Sequence, residues 1–437
     1  MRLYLCAGIT FLEMLDVSFV SSIIGKLMQD FAISYDKLPA LYISLSIGAC
    51  MSLPIAKYCY YSFNLKTLYK ILVTILIINF ICAFFIKNWE LFCLLRMIQG
   101  FALTLLYSIS FLDVVIYSNN KEQDFNFING VALFGTIMGP ALNGALTLIR
   151  WNYIFILFII ILSSLVYFIW QIDFTPKSTK NKINLLDILE YINFVLLLIV
   201  SSLILDGSIS IAYLPLDIIL VLLLIFKYKR FSVNFIFNKK VFNKTLLKVS
   251  LIHFFSRLSL IGLVPLLASI LFKNYNYNTL KISLLITTIG IGSLLAKFIS
   301  KKLSFFTINI PEMFFLFMGI LIMFAFSPFD YIKILIIILI LFGFVSSIVF
   351  NCINNCIFYN QDSQYNDDLS IILTILQMLF YGLCTSLVFK IYGVLEQFTN
   401  FKVAIAIIIL LLVYALAIAS YLYHTSFSKF DITKIST

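Results

Sequence analysis

Two carboxylates three residues apart, Glu13 and Asp16, interrupt the apolar run Phe11-Leu-Glu-Met-Leu-Asp-Val-Ser18. On a helix that spacing places both on one face. An ionised Asp near the centre of a lipid-embedded helix costs about 2.5–3.5 kcal/mol on insertion scales, so such residues face a cavity or a partner and mark a functional site by default. The alternative is a purely structural pair. A cation stands in a second apolar run, Leu95-Arg96-Met-Ile-Gln99-Gly100. A proton added to a carboxylate breaks its pair with a guanidinium, which is one way to exchange a proton for another ligand.

This reasoning holds only if lipid is the solvent, and the composition says that it is. Of the 437 residues 62% are hydrophobic and 12% charged, with a mean hydropathy of +1.05. Soluble domains carry about 25% charged residues. Without water, each backbone N–H and C=O must be satisfied within its own segment, and the apolar runs are too long for tilted barrel strands of about 10 residues. The fold class is therefore an all-α polytopic membrane protein. Charge clusters, Asn/Lys-rich stretches and prolines predict spans at about 3–24, 39–60, 70–87, 91–116, 126–147, 153–172, 187–206, 210–227, 245–271, 280–300, 310–327, 331–353, 368–391 and 401–422. At about 1.5 Å per residue, Asp16 lies ~20 Å and Arg96 ~22 Å from the same edge of a ~30 Å core. The two charges are level; azimuth is not readable this way.

An even number of spans puts both termini on one side. With that side cytoplasmic, nineteen of the 31 Lys and Arg fall in inside loops, nine in outside loops and three (Lys57, Arg96, Arg257) within spans. The excess favours cytoplasmic termini and explains the net charge of +11 without nucleic acid. The densest basic loop, Lys227 to Lys248, either serves as a solvated topology determinant or binds anionic lipid. The N-terminal run lacks a cleavage site and reads as a retained first span. The eight cysteines sit in or beside apolar segments and suggest no disulfide framework. Cys352 and Cys356, with no histidine nearby, suggest no metal site.

The fifth span reads Gly130-Val-Ala-Leu-Phe-Gly135-Thr-Ile-Met-Gly139-Pro140-Ala-Leu-Asn-Gly144. Gly135 and Gly139 form a small-residue stripe that lets helices approach, here expected at the interface between halves, and Pro140 invites a kink.

Taken in order, these segments resemble the drug:proton antiporters of the major facilitator superfamily, in their fourteen-span branch. Leu15-Asp16-Val17-Ser18 is similar to the first-span acidic signature, and Arg96-Met-Ile-Gln99-Gly100 to the fourth-span R-x-x-Q-G motif. Gly135 through Gly144 resembles G-x-x-x-G-P-x-x-G-G with Asn143 at the first paired glycine, and Trp151-Asn-Tyr-Ile154-Phe155 resembles the W-x-x-I-F opening the sixth span. Two stretches depart from the pattern. Lys57 to Lys66 has no acid and no glycine where a gating G-x-L-A-D-x-x-G-R-K is usual, and Ser21-Ser22-Ile-Ile-Gly25 replaces an A-L-P.

The resemblance implies a major facilitator fold of two six-helix halves plus two extra spans, with residues 1–172 as the first half, 173–244 as the inserted spans and basic loop, and 245–437 as the second half. It implies proton-coupled export of hydrophobic or amphipathic compounds across a cell inner membrane. Asp16 would be the proton site, Glu13 its helper and Arg96 the tuning charge, with the proton gradient as driving force and no cofactor. Partners would be a small-molecule substrate, protons, membrane lipids and a periplasmic adaptor protein. The motif residues Gly100, Gly130, Gly135, Gly139, Pro140 and Gly144 would serve packing and conformational change.

Further cavity candidates are Gln99, His253 and Arg257, the last two four apart on the ninth span, with Asn351 and Gln377. Arg257 is either cavity-lining or satisfied by helix carbonyls or by an acid such as Asp217; Asn351 and Gln377 fit helix-to-helix hydrogen bonding equally well. The rivals are export of one metabolite such as a siderophore, and a non-transporting membrane receptor or scaffold. No H-E-x-x-H, G-x-S-x-G or G-x-x-x-x-G-K-[ST] pattern occurs, which argues against an enzyme and an ATP-driven pump.

Overall fold

A computed structural model of the chain describes residues 1–34, 37–118, 120–172, 185–206, 219, 244–302, 310–326, 331–359 and 366–427. The described secondary structure is helical throughout, as a lipid solvent demands. The first six spans are α1 (Arg2–Asp30), α2 (Leu38–Ser62), α3 (Leu65–Phe85), α4 (Trp89–Tyr117), α5 (Lys121–Leu146) and α6 (Tyr153–Gln171). Asn64 and Asn88 cap α3 and α4 by accepting from the amides of Thr67 and Leu91. Next come α7 (Leu185–Asp206), α8 (Lys244–Ile261), α9 (Leu263–Lys273) and α10 (Thr279–Lys302). The last four are α11 (Ile310–Phe326), α12 (Ile332–Tyr359), α13 (Asn366–Phe398) and α14 (Phe401–Phe427).

Thirteen of the fourteen predicted spans coincide with these helices; of the eighth, at 210–227, only residue 219 is described, and the loop 228–243 lies outside the described residues. Eleven of the described stretches are long and apolar enough to cross a bilayer alone. The ninth predicted span is two helices. It breaks at Gly262, and Pro265 has no N–H to give the Ile261 carbonyl, so the chain bends between α8 and α9.

The same contacts occur twice. In the first half α2 and α4 touch backbone to backbone, because a Cβ on Gly48 would overlap the Met97 carbonyl oxygen and one on Gly100 the carbonyl oxygen of Leu45. In the second half α10 and α12 repeat this, with Gly292 on Ile340 and Gly343 on Ile289. Likewise α3 packs on α6 as α11 packs on α14. Across the seam α2 packs on α13 and α5 on α10, while α9 meets α1 where the Phe272 ring fills the space beside Gly25. This duplication is the architecture of paired six-helix repeats. Helix α7 lies against α2, with Tyr191 donating to the Met51 carbonyl at 2.9 Å.

Both ends of the described chain lie at one end of the bundle. The turn from α13 to α14 joins the turn after α9 through Lys273–Glu396 at 3.1 Å and Tyr275–Phe401 at 6.0 Å, and Phe272 of that region meets the last turns of α1. Helix α14 therefore starts where α1 ends, so Met1 and Phe427 share the opposite end.

Candidate functional site

The α1–α4 interface holds the site. Asp16 and Glu13 are 1% and 2% exposed, and Arg96 and Gln99 are as deeply buried. Asp16 Oδ1 accepts from Arg96 Nη1 at 2.5 Å and from Gln99 Nε2 at 2.6 Å. Three residues separate Arg96 from Gln99, so one face of α4 presents both donors. One turn nearer the terminus, Thr104 Oγ1 donates to Glu13 Oε1 at 3.2 Å. The guanidinium also lies 5.1 Å above the Phe19 ring, which shields it with an electron-rich face.

The hydrogen bonding here is incomplete. Glu13 Oε2, Asp16 Oδ2, Arg96 Nε and Gln99 Oε1 are buried without a partner. Buried polar atoms are ordinarily paired, and each unpaired one calls for an explanation, of which a bound group or an exchanged bond is one. Two carboxylates and one guanidinium within two turns can hold or release a proton by trading a charge-assisted hydrogen bond for a neutral one.

Helix α5 braces α1 from behind. Gly135 lies on Phe11 and Met14, and Gly139 on Ser18, whose Oγ a Cβ would overlap. This corrects the expectation that the stripe lies between the halves. Gly135 and Gly139 face α1 within the first half, and α5 meets α10 through Ile137 on Gly290 and through Gly144 on Ser283. Five residues at about 100° each turn Gly144 some 140° from Gly139, so the motif spans two faces. Gly130 faces open space, with only Lys297 Nζ at 4.0 Å. Pro140 sits inside α5, and Asn143, one residue before Gly144, donates from Nδ2 to the Phe19 carbonyl at 3.2 Å and Ser22 Oγ at 3.1 Å. Trp151 Nε1 donates to Asp30 Oδ2 at 2.7 Å, and Ile154 and Phe155 are fully buried.

The second-half candidates are placed less directly. His253 is buried on α8 with both ring nitrogens unpartnered, and Arg257, one turn on, acts electrostatically on Cys384 of α13. Gln377 is half-buried on α13, one turn before Tyr381. The side chain of Asn351, like Asp217, lies outside the described residues.

Sequence reasoning overlooked a third buried acid. Asp113 of α4 accepts from Arg2 Nη1 at 3.1 Å and from Tyr60 Oη at 2.9 Å, and Arg2 also stacks 3.6 Å over Tyr117. The stretch Lys57–Lys66, which lacks the usual acid and glycine, thus still ties α2 to α4 and α1 through Tyr60. The signal was available: an acid inside the apolar fourth span is costly for the same reason as Asp16.

The profile of the Major Facilitator Superfamily matches residues 6–379. No curated protein matches the chain. Among solved structures, a mutant of the nucleoside transporter NupG superposes with a TM-score of 0.65 at 16% identity, covering 98% of this chain and 100% of that one. A bacterial homolog of the human lysosomal transporter Spinster, inward-facing and occupied, superposes with a TM-score of 0.66 at 13% identity, covering 98% and 96%. At such identities the likeness is one of fold, and function has to be argued from the site.

Proposed function

This chain belongs to the Major Facilitator Superfamily, and from that premise we propose that it is a proton-coupled antiporter exporting hydrophobic or amphipathic compounds. The observation that carries the reading is the buried Asp16–Arg96 pair with Gln99 on the same carboxylate oxygen. Asp16 takes the driving proton. In its charged form it holds Arg96; protonated, it releases the guanidinium, and the interface between α1 and α4 loses its strongest bond. Glu13, three residues away and bound by Thr104, is a helper that accepts the proton next in line.

The two halves, residues 1–172 and 245–437, rock about the seam formed by α2, α5, α10 and α13, and residues 173–244 form the insert. Both termini face the cytoplasm of a cell whose inner membrane holds the protein, which suits the basic loops to an anionic leaflet. Nucleosides, the substrates named for NupG, are not carried over at 16–17% identity.

The test is transport in proteoliposomes under an imposed pH gradient, across a panel of amphipathic compounds, with proton flux recorded in parallel. Uphill movement of at least one compound with opposed proton flux is expected. If no compound moves across the panel, the exporter reading falls and a receptor role replaces it.

A further inference from the structure

Asp16, Val17 and Ser18 are consecutive residues of α1 with three different neighbours. Asp16 is held by α4, Ser18 lies under Gly139 of α5, and the Val17 carbonyl accepts a hydrogen bond from Tyr381 Oη at 3.0 Å. Tyr381 belongs to α13, so this bond crosses from the second half to the helix that carries the proton site. Its ring rests on Tyr42 of α2, with centroids 5.7 Å apart and planes tilted at 58°. The approach depends on the next residue. A Cβ on Gly382 would stand 2.9 Å from Ser46 Oγ and 3.2 Å from Ile43 Cα, so the glycine eases the close approach of α13 to α2. The Tyr42 hydroxyl is buried and has no partner.

We propose that Tyr381 is the positioning residue through which the protonation state of Asp16 reaches the second half. The inference rests on Asp16 being the proton site. While Asp16 holds Arg96, the rotation of α1 about its own axis is fixed, and the Val17 carbonyl points to α13. A proton on Asp16 frees Arg96, α1 turns against α4, and Tyr381 gives up Val17. The unpaired Tyr42 hydroxyl, against the same ring, is the partner it then takes. The charged and titratable groups around Asp16 are Arg96 of α4, Glu13 of its own helix, Tyr42 of α2 and Tyr381 of α13. From α5, α6, α9 and α10, no described charged group acts on it.

Tyr381→Phe keeps the ring and removes only the hydroxyl. Spin labels carried by genetically encoded residues at the exposed positions Gln29 and Gln397 report the separation of α1 and α13 at the end away from Met1. In the native chain their distance distribution is expected to shift on going from neutral to acidic pH, as a proton is added to the buried carboxylate. Asp16→Asn should stay in the low-pH distribution at every pH. Tyr381→Phe should lose the shift while retaining substrate exchange at equal pH within about twofold, and Tyr42→Phe should shrink the shift.

A native-sized shift in Tyr381→Phe overturns the proposal, as does the absence of any shift in the native chain. So does a Tyr381→Phe protein that loses exchange and shift together while Tyr42→Phe behaves as native, since the hydroxyl would then be merely structural. Transport on the same samples separates this proposal from the exporter reading. A shift without transport of any compound sinks the exporter and leaves the Tyr381 link standing; full proton coupling in Tyr381→Phe does the reverse.

Discussion

At the scale of single residues, Asp16 and Arg96 differ in what their loss should do. Asp16→Asn keeps size and polarity but carries no exchangeable charge. Proton-driven accumulation should fall by the 5–150-fold that corresponds to a coupling of about 1–3 kcal/mol, while equilibrium exchange persists; counterflow against uphill uptake in proteoliposomes measures both. Arg96→Ala strands a buried carboxylate, a change that costs about 3–5 kcal/mol where buried pairs have been broken. Thermal unfolding in detergent should show that loss, and the double replacement Asp16→Asn/Arg96→Ala should recover most of it, because the two residues share one interaction. Counting residues from either membrane edge set these two charges level, and in the structure they touch. The counting could not reach Thr104 or Tyr381. An azimuth depends on how helices pack, and Tyr381 is 364 positions from the carbonyl it binds. Asp113 was legible by the cost of its burial, and only its partners Arg2 and Tyr60 required coordinates.

At the scale of elements, the glycines of α5 separate into those with a neighbour and one without. Gly139→Leu would drive a side chain into Ser18 and the Leu15 carbonyl, 3.1 Å from an added Cβ, and should abolish transport in protein that still inserts. Gly130→Ala meets nothing closer than Lys297 Nζ at 4.0 Å and should leave transport unchanged, with helix stability raised by up to about 1 kcal/mol. Transport per inserted molecule, normalised to membrane content, compares the two. Spacing in the sequence showed that Gly135 and Gly139 share a face. It did not show that the face belongs to α1, since a small-residue stripe fits any close neighbour. The break of the ninth span had its signals in the sequence, Gly262 and Pro265, but the apolar residues on either side read as one span, and only packing reveals that α9 joins α1 while α8 joins α13 and α14.

At the scale of the whole molecule, the all-helical membrane architecture was the most legible property, because lipid leaves a chain of this hydropathy one way to satisfy its backbone. The duplication was less so, since no repeated motif announces it and its record is which helix touches which. With Met1 and Phe427 at one end of the bundle, reporters fused after Lys182, Lys240 and Thr437 should all report cytoplasm. Periplasmic activity at the last two sites would contradict the even span count and the assigned orientation.

The reciprocal glycines of α2/α4 and α10/α12 have a genetic consequence. What stands against Gly48, Gly100, Gly292 and Gly343 is the main chain of the facing helix, and a main chain cannot be trimmed by mutation. Gly8 differs, because what an added methyl would strike there is the side chain of Leu165. In a selection for revertants, loss of function from Gly8→Ala should be suppressed by a smaller residue at position 165. Gly48→Ala and Gly343→Ala should return only by restoring the glycine codon itself, and sequencing the revertants reads the difference directly.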